Sequence, residues 1–275
     1  MKKFPFSKNS PLLLVGCGNM GSALARGWLK AGLDVDAFLC IDPYFADKHV
    51  EGLPNEQIVD DVSALPKAVY PKAIVMAIKP QMMASVLPAL KSIVHDKTLI
   101  ISIAAGTTMA LYKEYFGDIG IVRSMPNTPA SIGKGITGMV ANKTVSDADR
   151  DIAEQLLSAI GDVVWVEDEA LIDSITAVSG SGPAYVFYMV EVLAAAGVQN
   201  GLSEDVAMKL ARQTIVGAGA LLEMSKDNAA DLRRQVTSPN GTTQAALDIL
   251  MAEDGLAPVI RRAVTAARRR SQELA

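Results

Sequence analysis

The chain has 275 residues, half of them hydrophobic and 20 % charged, with a net charge of −4. That length suits two domains, or one domain and an oligomerisation module, and the apolar content argues against a disordered chain. The acidic balance and an aromatic content of 5 % give no reason to expect nucleic acid as a partner.

Residues 1–10 read as a loose leader or a short edge segment. Lys2 and Lys3 ahead of an apolar run imitate the start of an exported protein, but Asn9, Ser10 and Pro11 interrupt the pattern. The remaining apolar run is shorter than the roughly 7–15 residues of an export signal. A cytoplasmic location is expected.

The chain is organised around residues 12–42. Leu12-Leu13-Leu14-Val15 is a short strand, followed at once by Gly16-Cys17-Gly18-Asn19-Met20-Gly21 and an amphipathic helix closed by Gly32. A second apolar run, 37–41, ends at Asp42. Strand, G-x-G-x-x-G, helix, strand and acid is the dinucleotide-binding order. Gly16 permits the tight turn, Gly18 the approach of a pyrophosphate, and Gly21 close packing of helix on strand. The helix start at Asn19 and Met20 offers free N–H groups to phosphate, and Asp42 is placed to accept from a ribose hydroxyl. Cys17 and Cys40 match no metal spacing and are expected as buried reduced thiols, with no metal site.

Beyond Asp42 the pattern predicts a short strand at 58–59, a weak helix over 62–69 and a buried strand over 73–78 that stops at Lys79-Pro80. A helix over 82–94 leads to a strand over 98–103, with Ala104-Ala105-Gly106 after it and Thr107-Thr108 capping the next helix. A strand over 119–123 breaks at Met125-Pro126-Asn127-Thr128-Pro129. Strands over 136–141 and 162–166 flank a helix over 147–160 that Ser146 caps. Strands alternating with helices imply an α/β, Rossmann-type, doubly wound parallel sheet, with ligands at the carboxyl ends of its strands. The expected domains are a dinucleotide-binding domain at 1–167 and an all-α substrate-binding and dimerisation domain at 168–275.

After residue 168 strand signals cease. Residues 183–198 carry one charge, Glu191, so a helix there is apolar nearly all round and must be buried all round. Sixteen residues are short for a membrane span, and burial in a second subunit is expected instead. Further helices are predicted over 203–225, 228–235, 242–253 and 256–273. The arginines near the C-terminus, Arg261 to Arg270, fit a solvated last helix.

Two stretches of this half could bind a ligand. Ser179-Gly180-Ser181-Gly182-Pro183 reads equally as a capped helix start or a ligand element. Thr237-Ser238-Pro239-Asn240-Gly241-Thr242-Thr243 gathers four hydroxyls and a turn at a helix N-terminus, a ready-made carboxylate site. Both histidines, His49 and His95, lie in the first domain, so no histidine of the second can relay a proton. A hydroxy-acid dehydrogenase would need such a base, usually His or Lys. Reduction of a protonated imine needs less, because the cationic C=N accepts a hydride directly.

Six motifs together resemble the pyrroline-5-carboxylate reductase family: 15–21, Ala77-Ile78-Lys79-Pro80-Gln81, Ser102-Ile103-Ala104-Ala105-Gly106, 123–129, 178–185 and Val236-Thr237-Ser238-Pro239-Asn240-Gly241-Thr242-Thr243. The resemblance implies reduction of 1-pyrroline-5-carboxylate to L-proline by NADPH or NADH, in a homo-oligomer with intertwined helical domains and no membrane or nucleic-acid partner. It implies cofactor contacts from Gly16, Gly18, Asn19, Met20, Gly21, Asp42, Ala77, Lys79, Pro80, Ala104, Ala105 and Asn127. Substrate contacts fall to Ser181, Val236, Ser238, Gly241, Thr242 and Thr243 of the partner's helical domain, with the Thr243 hydroxyl near the ring nitrogen as the catalytic group. The family more often shows Gly where this chain has Asn240, which also tolerates a left-handed backbone. Asp42 favours a free 2′-hydroxyl, whereas Lys48 could compensate a 2′-phosphate, so cofactor preference stays open. Rival readings are a β-hydroxyacid dehydrogenase, which would want a Lys after Gly182, and a non-catalytic dinucleotide sensor.

Overall fold

The structure, a computed structural model, describes residues 3–45, 50–67 and 69–274. Lys48 lies outside them. The strands are β1 (Leu12–Val15), β2 (Phe38–Ile41), β3 (Ile58–Val59), β4 (Ala73–Met76), β5 (Leu99–Ser102), β6 (Ile121–Met125), β7 (Gly135–Ala141) and β8 (Gly161–Trp165). They form one sheet in the order β3-β2-β1-β4-β5-β6-β7-β8. Helices α1 (Asn19–Lys30), α2 (Met83–Leu90), α3 (Met109–Phe116) and α4 (Asp147–Ser158) cover it.

The continuous apolar runs become strands covered on both faces, as parallel strands must be. β1 shows the sorting: Leu12 and Leu14 enter one core with Trp28, Phe38 and Leu156, while Leu13 and Val15 enter the other with Ile74, Met83 and Leu87. Trp28 meets Phe38 edge to face at 5.7 Å, and its indole N–H donates to the Leu156 carbonyl at 2.8 Å. On α4, Ser146 and Asp149 form the expected cap as a reciprocal capping box.

Several elements depart from expectation. β7 runs antiparallel to β6. Its connection holds only a short 3-10 turn, Thr128–Ile132, and a parallel return needs a crossover of about a dozen residues or more. β8 then pairs parallel to β7 through α4. The helix expected over 62–69 is a single 3-10 turn, Val62–Ala64, initiated by Asp61 accepting from Ser63 N–H and followed by Pro66. The helix expected over 82–94 is one turn of 3-10 and the short α2, which contains Pro88, a residue without the N–H that helix continuation needs. Thr108 sits at the N-cap of α3, but its side chain makes no capping bond; Glu169 takes that role.

The chain divides into two compact units, Met1–Gly180 with Arg268–Ala275, and Ser181–Ala267. The first closes with α5 (Leu171–Ile175), a π turn (Thr176–Gly180) and the end of α10 (Leu256–Glu273). Ser271 Oγ donates to Asp173 Oδ1 at 2.7 Å there. The second holds α6 (Gly182–Gln199), α7 (Glu204–Met224), α8 (Ala229–Gln235), α9 (Thr242–Leu250) and most of α10. Its buried apolar cluster is three alanines, Ala194, Ala207 and Ala211. On α6 Phe187 is 62 % and Tyr188 65 % exposed, so the chain alone does not supply the burial its apolar pattern demands. By length and composition Leu171–Gln199 could also cross a membrane.

Tyr112 on α3 is wholly buried, sharing a 2.8 Å hydrogen bond with Ser102 Oγ. Burial pushes its phenol up to about 12, against the opposing effects of the Ser102 bond and the Arg123 charge. The unfolded phenol ionises near 10. Between those values the unfolded state binds fewer protons, so stability is full below about pH 10 and falls as pH rises towards 12. We expect this group to account for about 2–3 kcal/mol of alkaline loss. Urea midpoints of Tyr112→Phe, compared with the parent from pH 8 to 12, should show a shallower alkaline limb; parallel limbs would refute the assignment.

Candidate active site

The carboxyl ends of β2, β1, β4, β5 and β6 form one row, and chain order reverses between β1 and β4. That switch point is where an open α/β sheet leaves a crevice. The glycine-rich turn fills its floor. Gly16 has φ +93, and a Cβ there would sit 2.8 Å from the Ala77 carbonyl oxygen. A Cβ on Gly21 would overlap the Gly16 carbonyl oxygen, so α1 begins hard against the end of β1. Gly18 differs: it is the N-cap of α1, makes no side-chain cap, and a Cβ there would meet nothing within 4 Å. Nothing in the chain's own packing requires glycine at that position. An open space beside the first-turn N–H groups of Asn19 and Met20 suits a phosphate.

Asp42 follows β2 and is 5 % exposed. Its Oδ2 accepts from Cys17 N–H at 2.7 Å, inside the glycine-rich turn, and its Oδ1 accepts from Tyr44 N–H at 2.8 Å. Ala77 N–H donates to the Val15 carbonyl, tying the end of β4 to β1, and Lys79 and Pro80 stand beyond it. Ala104 is buried with its N–H on Ser102 Oγ, and Ala105 is exposed. Asn127 is 8 % exposed; its Nδ2 donates to the Ser179 carbonyl and its Oδ1 accepts from Ile136 N–H. Its amide is thus largely committed to joining the ends of β6 and β7 to the π turn.

Sequence reasoning missed one pair. Arg123, 3 % exposed on β6, places Nη1 2.9 Å from Glu169 Oε1, which also accepts from Met109 N–H at 2.8 Å. The pair therefore pins the start of α3, directly after the loop at 104–108. Its Nε and Nη2 lie buried without a hydrogen-bond partner. A lone cation inside an apolar strand run was the readable signal; the distant Glu169 was not.

In the helical unit, Ser238-Pro239-Asn240-Gly241 forms a turn closed by Gly241 N–H to the Ser238 carbonyl at 3.0 Å. Asn240 has φ +58, the left-handed conformation expected of it and required at the third position of a type II turn. A Cβ on Gly241 would lie 2.6 Å from Ser238 Oγ, so glycine lets that hydroxyl sit over the N-cap of α9. Gly241 supplies no side-chain cap, leaving Thr242 and Thr243 to open the helix. Thr237 Oγ1 donates to the Arg233 carbonyl at 2.6 Å, anchoring the turn to α8. Of the four hydroxyls, Thr237 is committed to structure. Val236 is exposed at the end of α8, and Ser181 is the N-cap of α6, its carbonyl accepting from Ala184 N–H.

Residues 169–274 match the family described as pyrroline-5-carboxylate reductase dimerisation, and residues 12–106 that described as NADP oxidoreductase coenzyme F420-dependent. The chain is 40 % identical to the pyrroline-5-carboxylate reductase of Pseudomonas aeruginosa over 96 % of both chains. It is 33 % identical to that of Glycine max over 100 % of both. Among solved structures it is similar to a pyrroline-5-carboxylate reductase from Coxiella burnetii (TM-score 0.87, 34 % identity, 97 % of this chain and 99 % of that one). The Plasmodium falciparum pyrroline carboxylate reductase with NADP bound is also similar (TM-score 0.80, 31 % identity, 98 % and 99 % coverage).

The glycines give opposite expectations. Gly21→Ala should lower stability by about 3 kcal/mol, because its methyl meets backbone. Gly18→Ala should melt within about 0.5 kcal/mol of the parent yet bind nicotinamide dinucleotide about tenfold more weakly. Thermal melts with nicotinamide-fluorescence titrations check both; unchanged binding by Gly18→Ala would move the phosphate site elsewhere.

Proposed function

This chain belongs to the pyrroline-5-carboxylate reductase family, and we propose which of its residues carry that family's reaction. The enzyme is an oligomeric oxidoreductase that reduces 1-pyrroline-5-carboxylate to L-proline with NAD(P)H, the last step of proline biosynthesis. When bound, the reduced nicotinamide supplies the hydride that the imine carbon accepts. The chain's own work is to bind, orient and exclude.

In this reading the dinucleotide lies along the strand ends of the first unit. Gly16, Gly18, Asn19, Met20 and Gly21 receive the pyrophosphate, Asp42 a ribose, and Ala77, Lys79 and Pro80 line the crevice. Ala104, Ala105 and Asn127 line its nicotinamide end. The open space over Gly18 supports this most directly.

Substrate binding falls to the turn at 237–243. The single observation that carries it is Ser238 Oγ held over Gly241, beside an uncapped helix start. A hydroxyl and two or three free N–H groups converging there suit a carboxylate. Thr242 contributes its backbone N–H and Ser238 its hydroxyl, while Gly241, whose own N–H closes the turn, leaves room for that hydroxyl; Val236 and Ser181 are further contacts. Thr243, in the first turn of α9, is the catalytic group: its hydroxyl hydrogen-bonds the ring nitrogen and fixes the imine plane. A threonine hydroxyl is too weak an acid to donate a proton outright, so the imine arrives protonated.

The apolar faces of α6 and α7 are covered by the same unit of a second copy, in an intertwined homodimer. A membrane would have to accommodate Glu191 in mid-helix and the charges of α7, whereas a second copy needs only matching apolar stripes. A cytoplasmic location accords with two buried reduced thiols, Cys17 and Cys40.

Loss of absorbance at the reduced-nicotinamide band with pyrroline-5-carboxylate supplied tests the assignment. Thr243→Ala should lower kcat about 10–100-fold, with Thr243→Ser retaining most of it. Ser238→Ala should raise the KM for substrate about tenfold, the worth of one charge-assisted hydrogen bond, and leave that for cofactor unchanged. Parent rates in both alanine variants would dismiss the turn as the substrate site.

A further inference from the structure

We propose that Arg123 and Glu169 are positioning residues for hydride transfer, holding the loop at 104–108 in the place where it meets the nicotinamide. The proposal rests on the reading of Ala104 and Ala105 as lining the nicotinamide end, and adds what fixes that lining.

Both ends of the loop hang from one cross-strand pair. Ser102 of β5 stands opposite Arg123 of β6 in the parallel register. At the first end, Ser102 Oγ accepts from Ala104 N–H at 3.3 Å and shares a 2.8 Å bond with Tyr112 of α3. At the other, Arg123 Nη1 holds Glu169 Oε1 at 2.9 Å, and the same oxygen accepts from the N–H of Met109, which opens α3, at 2.8 Å. Between these ends Thr107 N–H bonds back to the Ala104 carbonyl at 3.4 Å, and of residues 104–108 only Ala105 is exposed. Gly106, at φ +70, has no room to move inward, since a Cβ there would lie 2.6 Å from the Leu274 carbonyl oxygen.

Stability does not account for the pair. The Arg123 side chain is buried in an apolar strand run, and its Nε and Nη2 make no hydrogen bond. Unmet donors on a buried charge are costly, and an apolar side chain of similar volume in such a place is often neutral or stabilising. What the cation supplies is a fixed place for Glu169, whose side chain is 28 % exposed and would otherwise move as surface carboxylates do. The start of α3 has no other side-chain cap: Thr108 makes no capping bond and the first turn holds no acid. A misplacement of about 1 Å costs about 100-fold in rate, so a loop tied at both ends matters to turnover and not to the distant end of the dinucleotide.

Met109→Pro tests this by removing one N–H and little else. Proline suits the first position of a helix, and Thr108 ahead of it is already extended, at φ −84 and ψ 158. With pyrroline-5-carboxylate and reduced nicotinamide supplied to the full chain, this variant should lower kcat about tenfold. It should melt within about 4 °C of the parent and bind AMP, a probe of the ribose end alone, with the parent's affinity. Glu169→Ala should lower kcat about 10–100-fold. Glu169→Gln, whose amide oxygen accepts from both donors, should keep kcat within about threefold of the parent. Should Glu169→Ala fail to fold, Met109→Pro still decides. A parent kcat in Met109→Pro, with or without a lower melting temperature, overturns the proposal. Ala105→Val tests the reading beneath it. A raised KM for reduced nicotinamide in that variant keeps the loop as the nicotinamide end even where the role of the pair falls. Parent kinetics in all of these variants dismisses the loop and the proposal together.

Discussion

Gly21 has no room for a methyl group, because the Gly16 carbonyl oxygen occupies that space. The arrangement of the first unit follows from this contact. It brings the start of α1 onto the end of β1, within reach of the Ala77 backbone after β4. It also aims Cys17 N–H at Asp42, so that the turn and the end of β2 share one hydrogen bond. The far end of α1 is as tightly seated: a Cβ on Gly27 would lie 2.8 Å from the Ala159 carbonyl oxygen after α4. Trp28 beside it fills the core and bonds to Leu156. Close approach at both ends makes α1 a rigid bar, and a rigid helix N-terminus has its N–H groups pre-aimed at a phosphate.

The helical unit is built on the opposite principle. Three buried alanines cannot offset the conformational entropy of ordering four or five helices. The missing apolar contact has to come from outside the chain, and each large side chain covered there contributes about 1.5–3 kcal/mol. Folding and assembly of this half are therefore one event, as in obligate dimers. The turn at 237–243 depends less on that event locally. Pro239 stiffens it, Asn240 supplies the left-handed step, and the Thr237 bond to α8 anchors it.

What could be read from the sequence was local. Continuous apolar runs gave β1, β2, β4 and β5; the glycine spacing gave the turn; Ser146 announced a helix cap, which the structure completes with Asp149 as a capping box; and Asn240 carried its left-handed φ in its residue type. What could not be read depends on partners far along the chain. The reversal of β7 follows from a connection too short and too turn-like to cross over. Thr108 looks like a cap for α3, but Glu169, some 60 residues on, supplies the bond. Asn127 reads as a ligand contact, and its amide is drawn into joining β6, β7 and the π turn. The covering of α6 was readable as a need, since an apolar helix must be buried, even though nothing in one chain meets it.

The chemistry proposed for the turn at 237–243 accounts for its being rich in hydroxyls and poor in acids and bases. A cyclic iminium is already electrophilic, so the protein gains little from a group that moves a proton and much from one that fixes a plane. On the proposed assignment, a carboxylate seated on N–H groups and an iminium N–H donated to a neutral hydroxyl define that plane without burying a second positive charge beside the cation. Hydride transfer itself is indifferent to the 2′-phosphate, since NADH and NADPH present the same nicotinamide. Selectivity between them must therefore be built at the ribose end, where a fixed charge can act without touching the reacting atoms.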